Sequence, residues 1–169
     1  KQGLIVVHQN FAHQRIIYER LLRTATLQEP ASQQKLFAQH IELNTLQALC
    51  VAQLEEALLS IGFDFELEQN TLALKAIPAG LSEDQAEKVV LAVLDDQMND
   101  RPNEGFSSLD ILARSLAAKM AIKSGQKLTV PEQRDLINEL FACKEPDRSP
   151  NQRRTFITLD TQDLEQKFN

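Results

Sequence analysis

The chain has 169 residues, of which 43% are hydrophobic and 25% charged. That usage is ordinary for a globular domain and excludes a disordered or collagen-like chain. With 24 acidic residues against 18 basic ones the net charge is -6, which excludes a general nucleic-acid binder, because neutralising phosphates takes a basic surface. Cys50 and Cys143 form neither a disulfide framework nor a zinc-ligand spacing, so a reducing, cytoplasmic compartment is expected. No apolar run is long enough to span a bilayer or to act as a signal peptide. The chain starts at Lys1 and leads straight into an apolar run, and so reads as an excerpt of something longer.

Leu4 to Val7 is a short β-branched run that predicts a buried strand. Phe11, Ile17, Tyr18, Leu21, Leu22 and Ala25 recur at helical spacing and predict a helix from about Phe11 to Leu27, with Pro30 closing the segment. Lys35 to Leu43 reads as a strand. Asn44 and Gln47 form a capping box for a second helix, whose stripe is Leu46, Leu49, Cys50, Leu54, Leu58 and Ile61 and whose stop is Gly62. Phe63 to Glu68 alternates as a half-buried strand. A turn at Gln69 and Asn70 leads into a partner strand through Leu72 and Leu74 that ends at Pro78, so this pair predicts a hairpin.

Ser82 and Gln85 box the next helix, which carries Ala86, Val89, Val90, Val93 and Leu94. Met98 to Gly105 is polar and turn-rich, a lobe boundary or a mobile loop. Ser107 or Ser108 caps a helix through Leu112, Leu116 and Ile122 that ends near Gly125. Thr129, Pro131 and Glu132 start another helix, expected to bury Leu136, Ile137, Leu140 and Phe141. After a Pro-punctuated loop, Thr155 to Leu159 reads as a strand, and Asp160 caps a closing helix with Leu164 and Phe168. The fold class is α+β, or mixed α/β.

Three segments together resemble the C-terminal domain of the bacterial MutL mismatch-repair family. Val7-His8-Gln9-Asn10-Phe11-Ala12-His13-Gln14-Arg15-Ile16-Ile17-Tyr18-Glu19 is similar to the family's strand-to-helix motif, usually written DQHAAHERxLYE. Ala113 to Lys123 is similar to the helix that usually carries an A-C-[RK] motif, and Pro146 to Thr155 to the CPHGRPT loop before the last strand. The resemblance implies a two-lobed, V-shaped homodimer. Residues 1–30 with 105–169 would form a discontinuous dimerisation lobe, and residues 31–104 an inserted external lobe. The family's first strand would precede Lys1.

Many members of the family use this domain as a metal-dependent DNA endonuclease, in which bound divalent ions position a water and stabilise the phosphoryl transition state. Here the motif Asp is His8, the motif His is Asn10 and the motif Glu is Gln14, while the later Cys, Cys and His positions hold Ala118, Ser149 and Asn151. Gln9 and Glu19 persist. Neutral amides bring no charge to balance a divalent ion, and Ala118 brings no donor. The expectation is a vestigial site with no metal and no catalytic residue. An alternative is a rearranged zinc or manganese site from His8, His13 and Glu19, with Cys143 as a distant fourth ligand, in a divergent endonuclease.

Gln33, Leu36 and Phe37 sit where the family carries a short motif for the replication sliding clamp. The competing reading places Leu36 and Phe37 in the lobe's own core. Lys144, Arg148, Arg153 and Arg154 form the one concentrated basic stretch, either a solvated loop or a weak phosphate contact. The expected dimer interface comprises Leu112, Leu116, Phe156 and Leu159. On this reading the domain pairs with itself and tethers two N-terminal ATPase domains. Its further expected partners are the clamp, a mismatch-recognition protein and a separate nicking enzyme. Little or no DNA binding and no membrane contact are expected.

Overall fold

The computed structural model describes residues 3–27, 32–99 and 106–166. The expected closing Pro30, most of the turn-rich 98–105 stretch and Phe168 lie outside them. The described residues form six helices and five strands in two antiparallel sheets, a mixed α+β fold. The chain divides into two compact units, one of Lys1–Glu19 with Ala121–Asn169, the other of Arg20–Met120. The acidic excess falls in the second unit, whereas the first holds acidic and basic residues in near balance.

In the first unit, β1 (Gly3–Val7) pairs antiparallel with β5 (Phe156–Asp160), setting Leu4 against Leu159 and Val6 against Ile157. The first turns of α1 (Gln9–Leu27) and the helix α5 (Val130–Phe141) supply a small core of Ala12, Ile16, Leu136 and Leu140. Val7, Ile122, Leu128, Cys143 and Phe156 pack around it. The strand reading of Leu4 to Val7 holds, but its burial does not. Leu4, Ile5 and Val6 are each about half exposed. Strand neighbours point to opposite faces. Val7 and Phe156 turn to the core, which puts Leu4, Val6, Ile157 and Leu159 together on the opposite face.

Helix α5 begins on the expected capping box of Thr129 and Glu132 with Pro131 in the first turn. It buries Leu136 and Leu140. Ile137 and Phe141, expected inside, are largely exposed, because they lie on the helix side away from Leu136 and Leu140. Phe141 instead meets the Phe156 ring, with centroids 5.2 Å apart. The short α6 (Thr161–Glu165) starts at Asp160, whose carboxylate accepts the Asp163 N–H.

In the second unit a three-stranded sheet runs in the order β2, β4, β3, from β2 (Ser32–Glu42), β3 (Asp64–Glu68) and β4 (Thr71–Pro78). The expected hairpin is β3–β4, with Gln69 in the left-handed region at its turn. Leu72, Leu74 and Ala76 alternate inward along the central strand. Helices α2 (Thr45–Ser60), α3 (Glu83–Asn99) and α4 (Ser108–Met120) complete the unit. The Asn44–Gln47 box caps α2, and Gly62 adopts a φ of 103° just past its end. Leu46 and Leu49, read as part of the buried stripe, are exposed, and Ala48, Val51, Leu54 and Leu58 are buried instead. This helix is apolar over more than one face, so spacing alone does not select the buried one.

Helix α4 starts at Ser107, whose hydroxyl accepts the Asp110 N–H at 3.1 Å, and ends at Met120, short of the expected Ile122. Leu112 and Leu116 have almost no accessible surface. They border an apolar gap of about 20 Å³ with Val51, Leu72 and Val93. A space this small with no polar lining is a packing gap and not a ligand site.

Candidate functional site

The residues of the strand-to-helix motif gather at the start of α1. His8 precedes the helix and caps it, its Nδ1 accepting the Phe11 N–H at 3.3 Å while its ring stacks on Phe11 at 3.9 Å. The His8 N–H donates to the Thr155 carbonyl at 2.7 Å, tying the helix start to β5. Asn10 and Gln14 lie one turn apart on α1. The Gln14 amide donates to Asn10 Oδ1 at 2.8 Å, and the Asn10 amide donates to the Ile122 carbonyl at 2.6 Å. Nδ1 of His13 accepts the Ile122 N–H at 3.0 Å, and Gln9 donates to the Gln126 carbonyl at 2.6 Å.

Farther along α1, Arg15 is buried and Glu19 largely so. The Arg15 guanidinium lies 3.5 Å from Glu19 and 3.3 Å from Glu145, and its Nε donates to the Arg148 carbonyl at 2.5 Å. Both Glu19 oxygens accept backbone N–H groups, from Lys144 at 2.8 Å and Glu145 at 3.1 Å. Together they organise the loop after α5. Ser149 is fully buried there, its hydroxyl accepting the Arg153 N–H at 3.2 Å, while Asn151 is exposed. Thr155 closes the loop, its N–H donating to the Asp147 carbonyl at 3.1 Å and its hydroxyl to that of Pro146. Lys144, Arg148, Arg153 and Arg154 are displayed on this braced frame.

Thus His8, Asn10, Gln14 and Glu19 share α1 and its cap, and Ser149 and Asn151 lie in a loop of the same unit. Ala118 lies on α4 in the second unit. Chemically, the α1 set carries amides, imidazoles and one carboxylate already occupied by two N–H donors. Among the described residues, no group of three or more His, Cys, Asp or Glu side chains is arranged to hold a metal ion. The alternative set of His8, His13, Glu19 and Cys143 is therefore not assembled as a ligand cluster. The Cys143 thiol donates to the Glu139 carbonyl at 3.4 Å. Motif comparison overlooked Arg15 as a buried anchor, although an Arg four residues before a Glu on one helix is a visible sign of an ion pair.

Strand β2 holds a second candidate. Gln34 pairs with Ala76 and Gln39 with Leu74, so Lys35 to Ala38 bulge out opposite Lys75. Lys35 folds back to bridge Glu83 at 3.2 Å, and Leu36 and Phe37 project outward at 88% and 80% exposure. The reading that placed these two in the core is corrected: the bulge takes them off the pleat. Gln33 is exposed just ahead of them.

Of the four expected interface residues, Phe156 and Leu159 lie on β5, and each is partly exposed. Leu112 and Leu116 are consumed by their own unit's core, so they have no side-chain surface left to give a partner. Leu4, Val6 and Ile157 share the outer face with Leu159.

Comparison with known proteins gives the family. A family model described as the MutL C terminal dimerisation domain matches residues 1–128. The DNA mismatch repair protein MutL of Flavobacterium psychrophilum is 37% identical over 99% of this chain, which covers 28% of that protein. MutL of Christiangramia forsetii is also 37% identical over 99% of the chain and 27% of its own length. MutL of Pelodictyon phaeoclathratiforme is 30% identical over the same share. The chain thus spans little more than a quarter of the relatives it matches. On this match, the chain belongs to the family of MutL C-terminal dimerisation domains.

Proposed function

We propose that this domain pairs two copies of its parent protein through the outer face of the β1–β5 ribbon, and that it no longer cuts DNA. The observation that carries the proposal is the bare cluster of Leu4, Val6, Ile157 and Leu159 on a two-stranded sheet. A ribbon of two strands is marginal in water unless its faces are packed. Covering such a cluster twice, by a two-fold operation, satisfies both copies with one patch. Joining two chains at this end raises the effective concentration of whatever lies at their other ends. In a MutL protein those would be ATPase domains, whose closure then becomes intramolecular.

Loss of the nuclease follows from the donors. A divalent ion is held by carboxylates, thiolates and imidazoles, and besides Glu19 the motif positions offer one imidazole, His8, with Asn10, Gln14, Ala118, Ser149 and Asn151. Glu19 retains its charge but spends it on Arg15 and two backbone N–H groups. Strand cutting then falls to a separate enzyme. The bulge at Leu36 and Phe37, with Gln33 ahead of it, supplies an apolar pair and an amide for docking into a groove of the sliding clamp. With a net charge of -6 the domain adds little DNA affinity of its own.

Sedimentation velocity at micromolar concentration tests the pairing. The chain should run as a dimer, and Ile157→Lys or Val6→Lys should give a folded monomer by circular dichroism. A monomeric wild-type chain, or a dimer that ignores both lysines, would refute the assigned face. Incubating the dimer with supercoiled plasmid and manganese or zinc should leave the plasmid intact. Nicking that disappears in a His8→Ala, Glu19→Ala double variant would establish the endonuclease instead.

A further inference from the structure

The polar side chains at the start of α1 converge on one backbone residue, and their directions are complementary. Ile122 offers one donor and one acceptor on its main chain. Asn10 donates to the acceptor at 2.6 Å and His13 accepts the donor at 3.0 Å, from positions i and i+3 of one helix face. Asn10 can present its amide nitrogen to a carbonyl only if its oxygen faces elsewhere. Gln14 supplies the donor that holds it so, at 2.8 Å. The Ile122 side chain packs against the core of Ala12, Ile16, Leu136 and Leu140, so the residue is bound by all three of its groups.

Four residues on, Gln9 binds the Gln126 carbonyl at 2.6 Å, while the Gln126 N–H closes a turn onto the Lys123 carbonyl at 3.1 Å. Gly125 stands in that turn with a φ of 84°, a conformation that suits a residue without a Cβ. The segment from Ile122 to Gln126 lies beyond the end of helix α4, so its main-chain groups are not paired within that helix. These side chains supply partners for some of them.

We propose that Gln9, Asn10, His13 and Gln14 form a peptide-backbone clasp, whose occupant is this chain's own 122–126 segment. Asn10 and Gln14, which stand where the motif carries ion ligands, are here committed to holding the polypeptide. The clasp rests on the reading that these positions hold no ion, but its readout is independent of subunit pairing. Gln14 acts through Asn10 and is a positioning residue. Asn10 and His13 are the gripping pair, and the Ala12–Leu140 core selects an aliphatic residue between them.

Amide hydrogen exchange at Ile122, followed in the full chain by NMR, tests this. His13→Ala removes the acceptor and should speed exchange at Ile122 by about tenfold, the loss of one typical hydrogen bond. Asn10→Asp keeps the shape but sets a carboxylate against the Ile122 carbonyl, and should give a similar rise. Amides of β3 and β4 should be unchanged in both. Unchanged Ile122 exchange in both variants would overturn the clasp. If His13→Ala also exposes Leu136 and Leu140, the unit has opened, and the near-isosteric Asn10→Asp variant decides. Millimolar manganese or zinc should leave wild-type Ile122 exchange as it is. Faster exchange on adding metal would show that Asn10 and His13 prefer an ion, and would also end the proposal. A failed pairing test would appear in sedimentation while Ile122 stayed protected.

Discussion

Arg15 shows how a motif letter can survive while its use goes unread. Arg15 is 3% exposed, and its guanidinium is matched by Glu19, Glu145 and the Arg148 carbonyl. A buried cation needs this many acceptors, and removing either partner of such a pair strands the other. Arg15→Ala should therefore destabilise the domain by about 3 kcal/mol, measured from denaturant midpoints at constant slope. Glu19→Gln should cost less, about 2 kcal/mol, because the amide oxygen keeps one backbone N–H while its NH2 opposes the other, and Glu145 still faces Arg15. Equal losses would contradict the assignment of Arg15 as the buried anchor. The sequence makes the substitutions His8, Asn10 and Gln14 plain, since each is a change of chemical type at one position. It hides the bonds that Asn10 and His13 make to Ile122, because a contact across more than a hundred positions leaves no local pattern.

Helix starts were legible because capping is decided within four residues. Asn44, Thr129 and Asp160 all cap the helices expected of them. At α5 the Thr129 N–H and hydroxyl donate to the Glu132 carboxylate and hold its pKa below the ordinary value. A depressed carboxyl pKa adds stability above the unfolded value of about 4.3, and this is lost as pH falls through the folded one. Wild type and Glu132→Gln should therefore converge in melting temperature as pH drops below about 4, and separate at neutral pH. A gap that does not vary with pH would contradict the carboxylate's role. Helix phase was less legible. Leu46, Leu49, Ile137 and Phe141 were assigned inward and lie outward, since an apolar residue shows that a surface prefers cover but not which surface is covered. The β2 bulge was illegible for a related reason, because a register shift depends on the partner strand. Its exposure makes a firm prediction: Leu36→Ala with Phe37→Ala should change stability by no more than about 0.5 kcal/mol, yet abolish retention on immobilised sliding clamp. Full retention would remove the bulge from the docking surface.

At the scale of the whole molecule, the α+β class and the order of elements were readable from the alternation of helical and strand periods. The structure divides into a unit built from both chain ends and one continuous unit, Arg20–Met120, and no periodicity marks the joins, because helix α1 runs unbroken across the first of them. The β1–β5 ribbon has a wider consequence. If its outer face is dry only when two chains meet, association and folding share one equilibrium, and no single melting temperature describes the domain. Each tenfold dilution should then take about 1.4 kcal/mol from the folded pair, so calorimetric scans should shift steadily downward as the sample is thinned. Scarcity itself would become a destabilising agent: a cell making too few chains would leave a sticky, half-finished surface open to proteases and to strangers.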